Sequence, residues 1–163
     1  MPIEFDVYLR LAHFLQDRNW EIICASPPGG TDNRFRKCLL PRREKGDEKG
    51  LRDEVDLTTH DGETIILAEC KSKLSDSLHQ VNALDESDYD KLHRIANSFS
   101  PSKLSQLLHQ ASGLSLPSNP IIELVLAVGI VDCDIPANIT VIELASPSIV
   151  RTWAIGSLGQ KLS

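Results

Sequence analysis

The chain has 163 residues, of which 41% are hydrophobic and 25% are charged, and its formal net charge is −6. These proportions are ordinary for a soluble globular protein, and the length predicts a single domain over residues 1–163. The longest apolar run, at 121–131, is too short to span a bilayer, and MPIEFDVYLR lacks the basic start and apolar block of a secretory signal. The sequence therefore predicts no membrane association and favours a cytoplasmic location.

The first half of the chain is predicted to contain one helix and four strands. Apolar side chains recur over 3–18 with the spacing of an amphipathic helix. Short runs of β-branched, aromatic and apolar residues bounded by Gly, Pro and Asn are typical of strands. Such runs occupy 20–26, 35–41, 52–60 and 63–72.

The second half is predicted to contain further helices and two strands. Residues 75–97 fit one or two helices, and Ser100-Pro101 is typical of an N-cap followed by proline at the first helical position. The apolar run at 121–131 indicates a central strand covered on both faces, and 138–145 is predicted to be a later strand. This order of elements predicts an α/β fold with a central mixed β-sheet flanked by α-helices.

The two strands that flank Asp61-Gly62 are predicted to form a hairpin, because this residue pair suits the positive φ values of a two-residue turn. In that register Asp56 lies diagonal to Glu69 on one face of the hairpin, with backbones roughly 7–8 Å apart. Lys71 follows two residues later on the same side. The hairpin therefore predicts a cluster of two carboxylates and one amine.

This cluster predicts a site for phosphoryl chemistry. Two carboxylates without soft ligands favour Mg²⁺ or Mn²⁺, and such an ion activates water and neutralises charge on a phosphoryl oxygen. Lys71 is expected to orient the attacking water or to stabilise the transition state. The same register puts Glu54 opposite Glu69 as an auxiliary acid, or as a substitute for Asp56 if the turn is longer. The alternative is a set of exposed strand charges.

These residues resemble the PD-(D/E)XK nuclease superfamily, which includes restriction endonucleases and Holliday-junction resolvases. EVDL supplies Asp56 as the acidic residue of one strand, and AECK supplies the E-x-K triplet Glu69-Cys70-Lys71 on the next. Val55 stands where the motif has its proline. The resemblance implies a restriction endonuclease-like fold and a metal-dependent DNA endonuclease that uses Asp56, Glu69 and Lys71.

The resemblance also implies further ligands. In this superfamily the backbone carbonyl of the middle residue of E-x-K, here Cys70, commonly binds the metal ion. Many members add a glutamate from the first helix, for which Glu4 is the candidate, and some use a glutamine on the following helix, for which Gln80 is the candidate. A solvated charge at Glu4 and a surface glutamine at Gln80 are the alternatives.

DNA is the expected partner, although the net charge is acidic. Positive charge is concentrated between Arg34 and Arg52, a segment that contains eight Lys/Arg and only three Asp/Glu. One positive face could contact phosphates in a salt-dependent way, and a solvated loop is the alternative. Cutting both strands would need a homodimer, whereas a monomer would nick DNA or act beside a separate recognition subunit. The predicted phosphate contacts are Arg42, Arg43, Lys45 and Lys49.

Other classes of site find less support in the sequence. The four cysteines lie far apart without a CxxC pair, which argues against structural zinc or an iron–sulfur cluster and favours buried, reduced thiols. The chain has no GxSxG, GxxxxGK[ST] or GxGxxG pattern. The remaining alternative is a catalytically inactive nuclease-like module that binds nucleic acid or protein.

Overall fold

A computed structural model describes residues 3–42, 52–79 and 86–163. No helix in these ranges is long and apolar enough to cross a membrane. The helices are α1 Glu4–Gln16, α2 Leu74–Leu78, α3 Asp88–Ser98, α4 Pro101–Ser112 and α5 Leu158–Lys161. The strands are β1 Glu21–Ala25, β2 Leu39–Pro41, β3 Arg52–Glu54, β4 Leu57–His60, β5 Thr64–Lys73, β6 Ile121–Ile130, β7 Thr140–Ser146 and β8 Ile149–Trp153.

A six-stranded mixed sheet with the order β1-β4-β5-β6-β7-β8 forms the centre of the fold. The pairs β5/β6 and β6/β7 are parallel, and the other neighbours are antiparallel. The predicted central strand at 121–131 is confirmed as β6. Its residues Val125 and Ala127 join one apolar cluster, whereas Leu126 and Val128 join another on the opposite face. Burial on both faces explains why the run is apolar without interruption after Glu123.

Helices cover both faces of this sheet, which confirms the predicted α/β class. On one face, α1 and the C-terminal α5 pack through side chains such as Leu11, Leu15 and Leu158. On the other face, α2, α3 and α4 pack through Leu74, Leu92 and Leu104. The helix predicted from Ser100-Pro101 begins as expected, because the Ser100 hydroxyl accepts a hydrogen bond from Lys103 N.

The predicted register of the hairpin is wrong by two residues. His60 pairs with Ile65 and Leu57 pairs with Ala68, so four residues, not two, connect the paired positions. The Asp61 carboxylate accepts hydrogen bonds from the backbone N–H groups of residues 63 and 64, which closes a wider turn. Gly62 adopts φ +92° within it. An even shift keeps each side chain on its face.

The strand predicted at 52–60 is divided between two sheets. Its first part, β3, pairs with β2 in a separate two-stranded sheet, where Glu54 lies opposite Leu39. The chain then bends at Asp56 and enters the main sheet as β4. The predicted pairing of Glu54 with Glu69 is therefore wrong. The bend also explains why the apolar alternation continues across 55–57 while Val55 and Leu57 enter different clusters.

The prediction of reduced, buried thiols is wrong for three of the four cysteines. Cys24 on β1 and Cys38 before β2 are joined by a disulfide, with Cα atoms 5.1 Å apart. Cys70 is a free, buried thiol and Cys133 is free and exposed. Cys24 and Cys38 meet because the segment before β2 runs back beside the end of β1, where Ala25 N donates to the Arg36 carbonyl, a path that sequence spacing does not reveal.

Burial on α1 predicts unequal effects for two leucines on the same helix. Leu11 is fully buried against the sheet, whereas Leu9 is 39% exposed. Leu11→Ala is expected to lower the free energy of unfolding by about 2–5 kcal/mol, because it leaves a cavity in the core. Leu9→Ala is the matched control and should change it by about 0.5 kcal/mol or less. Urea denaturation of both variants measures the difference, and equal losses would contradict the described packing.

Candidate active site

The predicted acidic pair lies where β4 begins and β5 approaches its end. Continuing the β4–β5 register by one residue places Asp56 opposite Glu69. Asp56 N donates to Glu69 Oε2 at 2.9 Å, and Cys70 N donates to Asp56 Oδ2 at 2.8 Å. Each carboxylate is thus bonded to a main-chain N–H of the other strand. The two side chains do converge, as the sequence predicts, and the longer turn makes them directly opposed instead of diagonal.

Burial gives this pair unusual electrostatics. The Glu69 side chain is only 3% exposed. Burial, together with the negative charge of Glu69, raises the pKa of Asp56 well above its usual range. The adjacent Cys70 thiol also has a raised pKa, chiefly because it is fully buried. Two buried carboxylates in contact repel each other, so the pair favours a cation or a proton between them.

Lys71 projects from the end of β5 between two further carboxylates. Its Nζ lies 3.7 Å from Glu4 Oε1 and 3.7 Å from Asp88 Oδ2. Burial opposes the charge, but the negative charges of Asp88 and Glu4 outweigh it, so the pKa of Lys71 is raised. Both distances exceed a hydrogen bond, which leaves the N–H groups of this ammonium available for another acceptor.

Glu4, the candidate from the first helix, is brought to the E-x-K triplet. It occupies the first turn of α1, where a carboxylate is favoured by the helix dipole. Tyr8, one turn later, donates a 2.7 Å hydrogen bond to Asp32 Oδ2. Arg34 binds the same carboxylate at 2.9 and 2.7 Å. These bonds fasten the segment after β1 to α1 and fix the helix end that carries Glu4.

Two residues of the site, Asp88 and Lys91, are absent from the sequence-based assignment. They lie in the first turn of α3, whose N-cap Ser87 accepts a hydrogen bond from Asp90 N at 3.0 Å. Lys91 Nζ donates to Glu69 Oε1 and to the backbone carbonyl of Glu54. An N-cap serine followed by an acid and a lysine three residues apart was the available signal, since such residues share one helix face.

Asp88 carries an unsatisfied oxygen. Within the described part of the chain, its Oδ2 is buried and has no hydrogen-bond partner, although Lys71 lies at ion-pair distance. Burial raises the pKa of this carboxyl, and the negative charge of Glu69 raises it further. A buried acceptor without a donor is costly, so Asp88 is an open position for a donor or a cation.

The remaining candidates are placed differently. Glu54 supplies its backbone carbonyl to Lys91, and its side chain borders a recess of about 140 Å³ together with Lys37 and Ser26. Arg42 follows β2 directly and is half-buried. The other predicted residues lie outside the described ranges, so their roles stay predictions: Arg43, Lys45, Lys49 and Gln80.

The two carboxylates of Asp56 and Glu69 offer oxygen ligands of the kind that a hard divalent cation prefers. Within residues 3–42, 52–79 and 86–163, no group of three or more His, Cys, Asp or Glu side chains is arranged to hold a metal ion. An ion shared by Asp56 and Glu69 would complete its shell with main-chain oxygen, water and substrate phosphate, which is usual for Mg²⁺. The cluster contains four carboxylates, from Glu4, Asp56, Glu69 and Asp88, and two ammonium groups, from Lys71 and Lys91.

Comparison with known proteins adds no assignment. No family model, curated protein or solved structure matches this chain. The chemical possibilities therefore follow from the side chains themselves. Buried carboxylates with an adjacent, loosely held ammonium can bind a cation and engage an anionic group beside it.

The Asp32 contacts predict a pH-dependent contribution to stability. Hydrogen bonds from Arg34 hold the pKa of Asp32 well below its usual range. Because the pKa of Asp32 is lower in the folded chain than in the unfolded chain, this carboxylate stabilises the fold at pH values above the unfolded pKa of about 3.9. The stabilisation is lost as pH falls from there towards the folded pKa. Asp32→Asn should therefore be less stable than wild type at pH 6.5, and the gap should narrow below about pH 4.

Urea unfolding midpoints between pH 6.5 and 2.5 measure this gap. Tyr8→Phe is the control, because it removes one hydrogen bond to the Asp32 carboxylate and leaves the Arg34 contacts intact. The stability gap between Tyr8→Phe and wild type should narrow less as pH falls, because the larger cause of the lowered Asp32 pKa, the Arg34 contacts, is kept. A gap for Asp32→Asn that stays constant to pH 2.5 would contradict the assignment.

Proposed function

We propose that this chain is a metal-dependent endonuclease that hydrolyses DNA phosphodiester bonds, with a restriction endonuclease-like core of the PD-(D/E)XK type. One observation carries the proposal. Asp56 and Glu69 face each other across β4 and β5, and Lys71 lies at the end of the same strand as Glu69. Acid, acid and lysine are thus gathered at one edge of the sheet.

The surrounding topology supports this reading. An antiparallel pair, β4 and β5, carries the acids and the lysine, and β5 then pairs in parallel with the buried β6. The first helix, α1, begins beside Lys71 with Glu4. The superfamily resemblance implies a glutamate from the first helix, and this residue is independent of the hairpin that carries Asp56, Glu69 and Lys71.

Asp56 and Glu69 would hold the ion, and the backbone carbonyl of Cys70 and the carboxylate of Glu4 are the proposed additions. When bound, Mg²⁺ or Mn²⁺ supplies neutralisation of the phosphoryl oxygens and a lowered pKa for a bound water. Burial, and then the negative charge of Glu69, raise the pKa of Asp56, and a divalent cation would relieve the repulsion between the two carboxylates.

Lys71 has the placement expected of a group that touches the substrate. Its side chain is 24% exposed, and its ammonium lacks a directed hydrogen bond to Glu4 or Asp88. It remains protonated because its pKa is raised by those two carboxylates. In this state Lys71 orients the attacking water and stabilises charge that develops on the phosphate, but it does not act as a general base.

The proposed DNA contacts follow from the small sheet. Pro41, which directly precedes Arg42, pairs with Arg52. β3 leads from Arg52 directly to Asp56. Phosphate contacts by Arg42, Arg43, Lys45 and Lys49 would supply the DNA binding, as the sequence predicts. Double-strand cleavage would need a second copy of the chain or a separate recognition subunit.

A catalytically inactive module that binds nucleic acid or protein is the second candidate. The direct contact between Lys91 and Glu69 favours it, because one carboxylate of the pair already has a cationic partner. Such a module would bind its partner equally well in EDTA and would not cut DNA in Mn²⁺.

The catalytic proposal predicts that two conservative variants lose cleavage. Asp56→Asn removes a ligand charge, and Lys71→Met removes the ammonium. Each should lower the rate of cleavage of supercoiled or branched DNA in Mg²⁺ or Mn²⁺ by about 10²-fold or more. Gel analysis of nicked and linear products measures the rate, and EDTA should abolish it.

Lys161→Met is the matched control. Lys161 contacts the Asp61 carboxylate at 2.7 Å and is 22% exposed, close to the exposure of Lys71, but it lies beside the start of β5. Its removal should leave cleavage within about twofold of wild type, because a change at that end of the strand touches no proposed ligand. Full activity of Asp56→Asn or Lys71→Met would eliminate the proposed roles, and absence of cleavage by wild type would favour the binding module.

A further inference from the structure

The two lysines of the site are held in different ways. Lys71 lies at 3.7 Å from each of its carboxylate neighbours, beyond hydrogen-bond distance. Lys91 instead donates directly to Glu69 Oε1 and to the carbonyl of Glu54. Lys71 is therefore free to meet a substrate, whereas Lys91 is committed to an oxygen of the acidic pair.

Lys91 occupies the place of a small cation. An ammonium with one carboxylate oxygen and one carbonyl oxygen has the same kind of hard, oxygen-rich surroundings that a divalent ion prefers. Glu69 is 3% exposed and its other oxygen, Oε2, already accepts from Asp56 N. A divalent ion that binds Glu69 must therefore share or take the oxygen on which Lys91 sits.

The structure also contains an acceptor for a displaced ammonium. Asp88 precedes Lys91 by three residues on α3, and such residues are neighbours on a helix surface. Within the described residues, Asp88 Oδ2 is buried and lacks a hydrogen-bond donor. Burial opposes the charge of Lys91, but its pKa is raised, mainly by Glu69 and to a smaller extent by Asp88, so the Asp88 carboxylate already acts on this ammonium.

We propose that Lys91 is an internal counter-cation of the site, and that binding of a divalent ion at Asp56 and Glu69 is a cation exchange. Lys91 leaves Glu69 as the ion enters and moves to Asp88. No covalent bond changes. The inference rests on the metal site of the proposed function and assigns Lys91 as a positioning residue, since it acts on Glu69 and not on the substrate.

This exchange has two consequences for the site. Before an ion arrives, Lys91 keeps the Glu69 carboxylate in place and offsets its repulsion with Asp56. When the ion arrives, the contact with Lys91 has to be given up, which weakens ion binding. Removing the ammonium should therefore strengthen ion binding, whereas removing a true ligand should weaken it.

Isothermal titration of the metal-free protein with Mn²⁺ at pH 7.5 tests the inference. Lys91→Met should bind Mn²⁺ at least about tenfold more tightly than wild type, because one positive charge beside the ion is gone. Lys91→Arg keeps the charge and should stay within about threefold of wild type. Asp56→Asn should lose most of the binding, since it removes a proposed ligand.

The outcomes separate the two proposals. Equal or weaker binding by Lys91→Met, with binding lost in Asp56→Asn, overturns the exchange and leaves the metal site standing. Absence of Mn²⁺ binding in both wild type and Lys91→Met overturns the metal site and the exchange together. Tighter binding by Lys91→Met with unchanged binding by Lys91→Arg supports both.

A second measurement decides the question if Lys91→Met does not fold. In wild-type protein labelled with ¹⁵N, the Nζ resonance of Lys91 is identified by its loss in Lys91→Arg. Addition of Mg²⁺, which is diamagnetic, should shift this resonance, whereas the Nζ resonance of Lys161 at the other end of β5 should not move. An Nζ resonance of Lys91 that is unchanged at saturating Mg²⁺ overturns the exchange.

Discussion

Burial of two carboxylates at one edge of a sheet is the constraint on which the site depends. Asp56 and Glu69 are placed opposite each other by strand pairing, and each accepts a main-chain N–H from the other strand. These bonds fix the geometry but do not neutralise the charge. Neutralisation falls chiefly to Lys91 on α3, which contacts Glu69 directly. The packing of α3 therefore also determines the charge balance of the acidic pair.

The layered sheet explains how distant segments reach this edge. The parallel strands β5 and β6 are buried on both faces, so each face has its own helices, and the helices α1 and α3 both begin near the end of β5. Their first turns carry Glu4 and Asp88, where carboxylates are favoured by the helix dipole. Arg94, one turn after Lys91, binds the buried Asp53 at 2.8 and 2.9 Å and ties α3 to the small sheet.

The sequence was sufficient for the hairpin pair and insufficient for its surroundings. Asp56, Glu69 and Lys71 could be found because side chains alternate along strands, and a register error of two residues leaves their faces unchanged. The register error arose because the Asp61 side chain accepts two backbone hydrogen bonds within the turn. Local sequence rules do not distinguish such a turn from a tighter one. Partners from other elements, such as Lys91 and the Cys24–Cys38 disulfide, depend on chain paths that periodicity does not encode.

Pairing of β5 with β6 joins Thr64 to Ile121, a contact between residues far apart in the chain. Such contacts close large loops and form slowly, whereas the β4–β5 hairpin is local and forms within microseconds. The acidic pair can therefore assemble early in folding, but its neighbours from α1 and α3 arrive only with the complete tertiary structure. During that interval Lys91 is not yet beside Glu69, so docking of α3 supplies the counter-charge that the pair requires once it is buried.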